Sequence, residues 1–457
     1  MYTTAMARTQ LQLFNNLLYW EAPRVVFLEV TNHCNLRCVM CAHAQDDLRM
    51  DKGHMQWAMF EDAFKQCSHL RSLCLFSAGE PLLAKNWDAI LKHCTQHLPQ
   101  DVDISFSTNG LLLTRQKILP LLGRNIAITI SIDGATRTTY EYIRQGGSFD
   151  RLIENIRLLN SLKDQYKTDR PSIEIAFAAS RDNVTELPLI AQLAVQLRAT
   201  QLVVAQRIFF NEDDFKAKSL LFAREQFDEN LQEAVALCHR DGISIIHGGT
   251  YSGEIPPPAG LINRFFDMRA DGRFACRTAE QHVSIGFKGL IRACCFIDHL
   301  FMGNLNYNTL SEVWHGHHYR RLRLDIRNGR FGDGCKNCPF FQLLNRHEQA
   351  CLRTLNTQSH IPASPQIRQP YDVFALNGEF QRHMDNWQHG CISAADTIKR
   401  LLTLYEQDAC FFEVANNIGV LYATDNDITN ARKWINTAYA INPLDAMMQQ
   451  NYDSLSL

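Results

Sequence analysis

The stretch Cys34-Asn35-Leu36-Arg37-Cys38-Val39-Met40-Cys41 decides the fold of this chain. It follows an apolar run at residues 24–30, which predicts a buried β-strand and places the three thiols on a loop at the strand end. Three thiolates of one loop can bind three corners of a cubic iron-sulfur cluster and leave the fourth iron open. Structural zinc usually takes four protein ligands in two pairs, and scattered buried thiols are the other alternative. The uneven triplet favours the cluster.

The composition is that of an ordinary globular protein of more than one domain. A chain of 457 residues exceeds what one hydrophobic core usually serves, so two or three domains are expected. Lys plus Arg number 46 and Asp plus Glu 48, a balance that argues against nucleic acid or an anionic membrane as the main partner. Residues 10–20 are apolar but interrupted by polar side chains, which favours an opening helix over a signal peptide.

The chain has fifteen cysteines, an odd and large number. Without an export signal, their clustered spacing indicates metal ligation in a reducing cytoplasm rather than disulfides. Isolated cysteines in apolar surroundings, such as Cys67, Cys74, Cys94 and Cys238, are expected to be small buried hydrophobic residues.

Short β-branched runs alternate with longer helical patterns across the first half of the chain. This alternation predicts an α/β fold with a parallel sheet that carries helices on its outer face. Ligands of such sheets bind at the carboxyl ends of the strands. The predicted strands are residues 25–30, 72–76, 103–107, 127–132, 172–178 and 201–208.

Polar residues follow several of these strands. Gly79 and Glu80 come after the second strand, where glycine allows close approach of the backbone to a ligand. After the third strand, Asn109 and Gly110 form a dipeptide that is typical of a tight turn. Ser131 and Asp133 follow the fourth strand, and Asp133 is expected either to hydrogen-bond a ligand or to cap the next helix. Arg144 follows in that helix, where it could pair with a carboxylate or be a surface cation.

Together these motifs resemble the radical S-adenosylmethionine (SAM) superfamily. The resemblance rests on the Cys-x3-Cys-x2-Cys loop, on Gly79-Glu80-Pro81 and on Ser131-Ile132-Asp133-Gly134 followed by Tyr140-Glu141-Tyr142-Ile143-Arg144. It implies a partial (β/α)6 barrel whose [4Fe-4S] cluster, held by Cys34, Cys38 and Cys41, binds SAM at the open iron. It also implies SAM contacts from Arg144 and from the residues that follow the strands, namely Gly79, Glu80, Asn109, Ser131 and Asp133.

A second cysteine group follows near residue 280. A hairpin pattern at residues 283–293 is flanked by Cys276 and by Cys294-Cys295, and the pair Cys335 and Cys338 comes later, a spacing that would also suit zinc. The segment resembles the SPASM or shorter twitch extension, which implies one auxiliary [4Fe-4S] cluster held by Cys276, Cys294, Cys335 and Cys338. Cys295 is the alternative to Cys294. A four-thiolate cluster implies a redox or a structural role.

The C-terminal part follows a proline-marked linker at residues 361–371. Residues 415–443 match one tetratricopeptide repeat, which predicts helical neighbours and either a docking surface or a small helical cap. Cys351 and Cys391 belong to neither cysteine group. They are candidate thiol hydrogen donors by resemblance to radical SAM peptide epimerases, with inert buried thiols as the alternative.

The predicted domains are an N-terminal helix at residues 1–23, a radical SAM partial barrel at 24–260, an auxiliary cluster domain at 261–355 and a helical domain at 356–457. The resemblance implies reductive cleavage of SAM and hydrogen abstraction from a ribosomally made peptide, with a reducing partner such as flavodoxin or ferredoxin. The alternatives are a small-molecule dehydrogenase or epimerase, and a non-catalytic metal-binding scaffold.

Overall fold

A computed structural model describes the greater part of the chain. The described residues are 22–41, 52–67, 69–259, 261, 265–268, 272, 274–294, 301–327, 335, 338, 373–408, 411–441 and 450–454. Predictions for the opening helix, for the proline linker and for Cys295 and Cys351 therefore lie outside the described residues.

A parallel sheet forms the centre of the first domain and confirms the predicted α/β fold. Its strands pair in chain order from β1 to β7, so each strand lies beside the next one in sequence. All six predicted strands are present, and the short seventh strand adds to them. The bounds are Val25–Leu28 (β1), Ser72–Cys74 (β2), Asp103–Thr108 (β3), Ile126–Ser131 (β4), Ser172–Ala179 (β5), Gln201–Gln206 (β6) and Ser244–Ile246 (β7).

The connecting helices share one face of this sheet. Right-handed crossovers between successive neighbouring strands place every helix on the same side. The surroundings of Gly110 show which strand side chains face the helices. A Cβ at Gly110 would lie within 3.2 Å of both the Ile130 side chain in β4 and the Leu152 side chain in a helix, so Ile130 points toward the helices. The helices are Trp57–Lys65 (α1), Trp87–His97 (α2), Arg115–Ile118 (α3), Arg137–Ile143 (α4), Phe149–Gln165 (α5), Leu187–Gln196 (α6), Glu212–Lys218 (α7) and Arg224–Arg240 (α8).

Alternation along the central strands separates the two faces of the sheet. In β4 the residues Ile126, Ile128 and Ile130 are fully buried against the helices, while the residues between them are partly exposed. β5 repeats this pattern, with Ile173 and Ile175 buried. Period-two alternation with one apolar face is what a half-open sheet requires. The face away from the helices is therefore open, and we call it the inner face.

The predicted hairpin after Cys276 is present, but it extends the first sheet. The strands His282–Ile285 (β10) and Leu290–Arg292 (β11) pair antiparallel through a turn at Gly286 and Gly289, and β10 also pairs parallel with β1. With Phe301–Asn304 as β12, the full order is β12-β11-β10-β1-β2-β3-β4-β5-β6-β7. The remaining elements of this part are Phe266–Met268 (β8), Phe274–Cys276 (β9), Thr278–Gln281 (α9), Leu310–His315 (α10) and His317–Arg327 (α11).

The described C-terminal part is all helical. Its helices are Val373–Gln388 (α12), Ala394–Gln407 (α13), Phe412–Thr424 (α14) and Ile428–Ile441 (α15). Gly419 allows α14 and α15 to approach closely, because a Cβ there would lie 2.8 Å from the Ile435 side chain. The ring of His318 in α11 stacks on Phe412 with 4.4 Å between centroids, so the helical part docks on the preceding one. Across the described residues, no helix has both the length and the apolar character needed to cross a membrane.

Candidate functional site

The loop at residues 34–41 is fixed against the end of α4. The backbone N–H of Arg37 donates to the Gln145 carbonyl and that of Val39 donates to the Ile143 carbonyl, each at 2.9 Å. Within the loop, the Cys41 N–H donates to the Cys38 carbonyl at 3.0 Å. The loop therefore holds its three cysteines on a backbone that neighbouring elements support.

Gly79 makes its close approach to this chain's own backbone. It has a φ of 73° and a Cβ at this position would lie 2.7 Å from backbone atoms of Asn32 and His33. The next N–H, that of Glu80, donates to the His33 carbonyl at 2.7 Å. Glycine is required here, because a side chain would be strained by the positive φ and would clash with the neighbouring backbone. Gly79 therefore allows the segment after β2 to pack against the residues that enter the cysteine loop.

The carboxylate of Glu80 is used inside the protein. It accepts hydrogen bonds from the Thr108 hydroxyl at 2.7 Å, from the Asn109 N–H at 2.8 Å and from the Leu82 N–H at 3.2 Å. Burial raises the pKa of Glu80, and these donors oppose that effect by stabilising the ionised form. Glu80 thus ties the segment after β2 to the end of β3 through its side chain, and its backbone is engaged as well, since its carbonyl accepts from the Leu83 N–H at 3.0 Å.

Asn109 connects β3 to the cysteine loop. Its side-chain Nδ2 donates to Oδ1 of Asn35 at 2.9 Å, and its Oδ1 accepts from the Leu111 N–H at 3.1 Å. The predicted turn is confirmed, because Gly110 has a φ of 77°. The side chain of Asn109 orients Asn35, which lies between the first two cysteines.

Arg144 and Asp133 form a buried ion pair beside the loop. Nη2 of Arg144 lies 2.5 Å from Oδ2 of Asp133, and its Nη1 lies 4.0 Å from Sγ of Cys38. Burial is the largest single effect and opposes the charge of Arg144, but Asp133, Cys38 and Tyr140 together raise the pKa of Arg144. The surface alternative for Arg144 is wrong, since only 11% of its side chain is exposed.

The helix-capping alternative for Asp133 is also wrong. Helix α4 begins at Arg137, and its N-cap is Thr136, whose hydroxyl accepts from the Thr139 N–H. Asp133 lies too early in the chain to reach those donors. Its Oδ1 instead accepts from the Ala178 N–H at 2.7 Å, which anchors it to β5.

The thiols of the loop share one electrostatic environment. Burial raises the pKa of Cys38 to about 11, Arg144 acts in the opposite direction, and Cys41 and Cys34 add to the rise. Burial likewise raises the pKa of Cys34, with a counteracting hydrogen bond from the Leu36 N–H. Thiols that influence one another and face a fixed cation suit a site in which a metal group stabilises the thiolates.

Two buried polar atoms beside the loop support the presence of a bound group. The hydroxyl of Tyr140 and Nε of Arg144 have no hydrogen-bond partner among the described residues. In the described part of the chain, no three His, Cys, Asp or Glu side chains are arranged around a single metal ion. A four-iron cluster differs from one ion in that each thiolate binds a different iron. The donor set fits a cluster with polar groups above it.

Ser131 ends β4 on the inner face. It is partly exposed and follows Thr129 on the same face, two residues nearer the carboxyl edge of the sheet. This position is at the same edge as the cysteine loop, as predicted for a residue that contacts a ligand there.

The second cysteine group is also brought together. Burial raises the pKa of Cys276 to about 11, and Cys294 adds to this rise, so the two thiols are close. Cys338 packs in the same small apolar cluster as Cys276, and its N–H donates to the Cys335 carbonyl at 3.1 Å. A set of four thiols from two regions of the chain suits a fully ligated iron-sulfur cluster.

Comparisons with known proteins agree with this geometry. A family model described as the radical SAM superfamily matches residues 28–169, and a second, SPASM, described as an iron-sulfur cluster-binding domain, matches residues 276–339. The two matches contain the first and the second cysteine group.

The chain contains a radical SAM domain and a SPASM domain.

Its cofactors are an iron-sulfur cluster with SAM in the radical SAM domain and an auxiliary iron-sulfur cluster in the SPASM domain.

Two relatives match over more than half of the chain. Mycofactocin maturase MftC of Mycobacterium tuberculosis is 26% identical over 326 residues, which cover 70% of this chain and 77% of the relative. PqqA peptide cyclase of Gluconobacter oxydans is 23% identical over 299 residues, which cover 64% of this chain and 76% of the relative. The crystal structure of Streptococcus suis SuiB bound to precursor peptide SuiA has a TM-score of 0.50 at 14% identity and covers 75% of this chain and 76% of SuiB. The structural likeness shows a shared fold.

Sequence reasoning missed Arg207, which supports the cysteine loop of the radical SAM domain. Its guanidinium is buried after β6, donates to the Val39 carbonyl at 3.3 Å, and pairs with Asp182 and Asp214. The available signal was an arginine at the end of an apolar strand. Such a residue is rarely buried unless paired, but its partners were not evident from the sequence.

Glu186 was also missed. It accepts from the N–H groups of Ala135 and Thr136 and from the hydroxyls of Thr136 and Thr139. A carboxylate at the start of a helix is favourable because it faces unpaired N–H groups and the positive end of the helix dipole. Glu186 thereby fixes α4, which carries Tyr140 and is followed directly by Arg144.

Cys391 is exposed in the turn between α12 and α13, where its Sγ lies 3.9 Å from the His389 carbonyl. Within the part of the chain that the structure describes, no contact joins it to the 34–41 loop. The buried alternative is therefore wrong for Cys391, and its role as a hydrogen donor stays a prediction.

Proposed function

We propose that this chain matures a ribosomally synthesised peptide by radical chemistry. It would cleave SAM reductively to a 5′-deoxyadenosyl radical, which abstracts a hydrogen atom from a carbon of the peptide. The observation that carries the peptide assignment is the match to PqqA peptide cyclase, which covers 64% of this chain and 76% of the cyclase. The match to mycofactocin maturase over a similar span supports it.

The proposal assigns a role to each group of site residues. Cys34, Cys38 and Cys41 bind the first cluster, and Cys276, Cys294, Cys335 and Cys338 bind the auxiliary one. Arg144 offers its guanidinium to the SAM carboxylate, a pairing that planar guanidinium groups favour. Asp133 orients Arg144 through the ion pair at 2.5 Å. Gly79, Glu80, Asn109 and Ser131 complete the SAM pocket, Glu80 and Asn109 by holding the cysteine loop in position.

The finer parts of the proposal concern outcome and partners. The peptide change is epimerisation, cross-linking or oxidation, and flavodoxin or ferredoxin supplies the electron. The location is cytoplasmic, where clustered thiolates persist in reduced form. The helical domain, with its close pair α14 and α15, is a tetratricopeptide-like unit that holds the peptide.

Anaerobic reconstitution with iron and sulfide tests the catalytic part. We expect about eight irons per chain, as two four-iron clusters require, and 5′-deoxyadenosine formation once the protein is reduced. Zinc binding without SAM cleavage would indicate the metal-binding scaffold instead.

Co-expression tests the peptide part. A short precursor encoded beside the gene should change in mass when it is expressed with this protein, and should remain unmodified with a Cys38→Ala variant. An unmodified precursor together with consumption of a small metabolite would favour the small-molecule dehydrogenase or epimerase.

A further inference from the structure

The inner face of the sheet carries an isolated carboxylate, that of Glu174. Glu174 belongs to β5 and alternates with the buried Ile173 and Ile175, so it lies on the face opposite the helices. Its Oε2 accepts from the Thr129 hydroxyl at 2.8 Å. The structure gives Oε1 no hydrogen-bond or ion-pair partner among the described residues, and Oε1 is not sealed from solvent.

On the neighbouring strands, polar side chains lie beside this carboxylate and form a row with it. Glu174 lies beside Thr129 in the sheet register, and Thr129 lies beside Ser107 of β3. All three are partly exposed on the inner face. We call Ser107, Thr129 and Glu174 the inner row. It presents two hydroxyls and one carboxylate, and the hydroxyl of Thr129 fixes the orientation of the carboxylate.

On β4 and β5 the positions between the inner row and the carboxyl edge carry small side chains. Above Glu174 on the same strand and face come Ala176 and Ala178, and above Thr129 comes Ser131, while Val203 of β6 lies beside Ala176. In a complete (β/α)8 barrel such inward positions are filled by bulky branched residues. Two residues along a strand span about 6.6 Å, so the inner row lies one layer of side chains below Ser131. A long, narrow group can reach it from the carboxyl edge.

The charge of this face favours a cation. Two ion pairs lie near the inner face, and in each the two charges cancel. They are Arg292 with Glu29, at 3.3 Å, and Arg144 with Asp133. Glu174 is left as a net negative charge below the small side chains of β4 and β5, and a carboxylate binds ammonium and guanidinium groups through charge-assisted hydrogen bonds.

We propose that the inner row is a recognition site for an ammonium or guanidinium group at the end of a long substrate arm. The inference deepens the proposed function, on which it rests, because it gives the substrate a cationic side chain that reaches past the SAM pocket. The same chemistry occurs in a lysine or arginine residue of a peptide and in a free alkylamine. Glu174 accepts the cation, and Thr129 is a positioning residue that holds the carboxylate.

Equilibrium dialysis of the reconstituted full-length protein with Nα-acetyl-lysinamide tests the site. Nα-acetyl-norleucinamide has a similar chain without the charge and serves as the matched probe. We expect saturable binding of the lysine probe only, weakened about tenfold or more by Glu174→Gln, which removes a charge-assisted hydrogen bond but keeps the shape. Thr129→Val should weaken binding less. Glu154→Gln, at an exposed position of α5, is the control and should bind as the wild type does.

Several results would overturn the inference: equal binding of the two probes, no saturable binding to the wild type, or unchanged binding to Glu174→Gln. Circular dichroism checks that each variant folds. A parallel n-butylamine series distinguishes the source, since a peptide residue requires the amide groups of the lysine probe for full affinity. Reductive SAM cleavage by the wild type is measured separately. Cleavage without probe binding rejects the cation site alone, and Glu174-dependent binding without cleavage rejects the proposed function alone.

Discussion

Arg144 and Asp133 form an ion pair at 2.5 Å that is almost wholly removed from solvent, with 11% and 1% of their side chains exposed. The pair joins the end of α4 to β5, because Asp133 also accepts from the Ala178 N–H. It places a fixed cation 4.0 Å from Sγ of Cys38. The loop, the fourth strand and the fifth strand therefore meet at one guanidinium.

Asp133→Asn should destabilise the protein strongly. The change leaves Arg144 buried without its counter-charge, which costs about 3 kcal/mol for a buried pair. Urea unfolding of the cluster-free protein measures it. Asp150→Asn is the control, because Asp150 pairs with Arg137 at the surface, where more than half of each side chain is exposed. Equal unfolding midpoints for the two variants would contradict the buried role.

Single cysteine substitutions should separate the two clusters. Cys38→Ala should lower the iron content from about eight to about four per chain and abolish SAM cleavage, and Cys276→Ala should give the same iron loss through the other cluster. Cys238→Ala, a buried cysteine in α8, should keep the full iron content. If Cys276→Ala left the iron content unchanged, the assignment of the auxiliary ligands would be wrong.

Arg207→Met should destabilise the protein by about 3 kcal/mol, because it leaves the partly buried carboxylate of Asp214 without this counter-charge. It should also lower the iron retained through gel filtration, since Arg207 holds the Val39 carbonyl inside the cysteine loop. Arg207→Met with Asp214→Asn should recover part of the stability but not the iron. Lys216→Met, which breaks an exposed pair in α7, is the control.

Acidification should lower the free energy of unfolding, because His247 becomes protonated more readily in the unfolded chain than in the folded protein. This residue is buried after β7, and burial, with a smaller effect from His239, lowers its pKa from 6.5 to about 4. The unfolded chain binds the proton near pH 6.5, so the stabilisation is complete above that pH and is lost toward pH 4, by up to about 3 kcal/mol. His247→Asn should flatten this slope in urea titrations, because its Oδ1 can accept from the Gly249 N–H in place of Nδ1. His69→Asn, at an exposed position, should keep the wild-type slope.

Turnover in deuterated water separates epimerisation from oxidation. Deuterium at an inverted carbon would show a thiol hydrogen donor, and its loss in Cys351→Ala or Cys391→Ala would identify which thiol acts. A product lighter by two hydrogens, with no deuterium at carbon, would exclude simple epimerisation. Mass spectrometry of the modified peptide measures both outcomes.

The sequence was informative where one residue type is required by local physics. The apolar run before Cys34 predicted β1, and alternating isoleucines predicted β4 and β5, because burial on one face imposes period two. The Asn109 and Gly110 turn followed from backbone conformation alone. These features depend on neighbours in sequence.

The features that the sequence did not predict depend on residues distant in sequence. Glu80 faces Thr108 and Asn109 rather than a ligand, and Asp133 pairs with Arg144 rather than capping α4. Arg207 finds partners in three different segments. A carboxylate or guanidinium has many equivalent partners in a chain of this composition, and only the tertiary arrangement selects among them.

The parallel pairing of β10 with β1 has a consequence for biosynthesis. Residues 282–285 complete one side of the strand that carries the cysteine loop, although they are separated from it by the whole barrel sequence. While the chain is being made, β1 keeps an exposed edge until the ribosome has released the hairpin, and pairings of such long range form slowly. A version ending at residue 260 would retain that open edge permanently and would be prone to edge-to-edge aggregation. Chaperone protection or late metal insertion should therefore matter more for this protein than for one whose first strand is enclosed early.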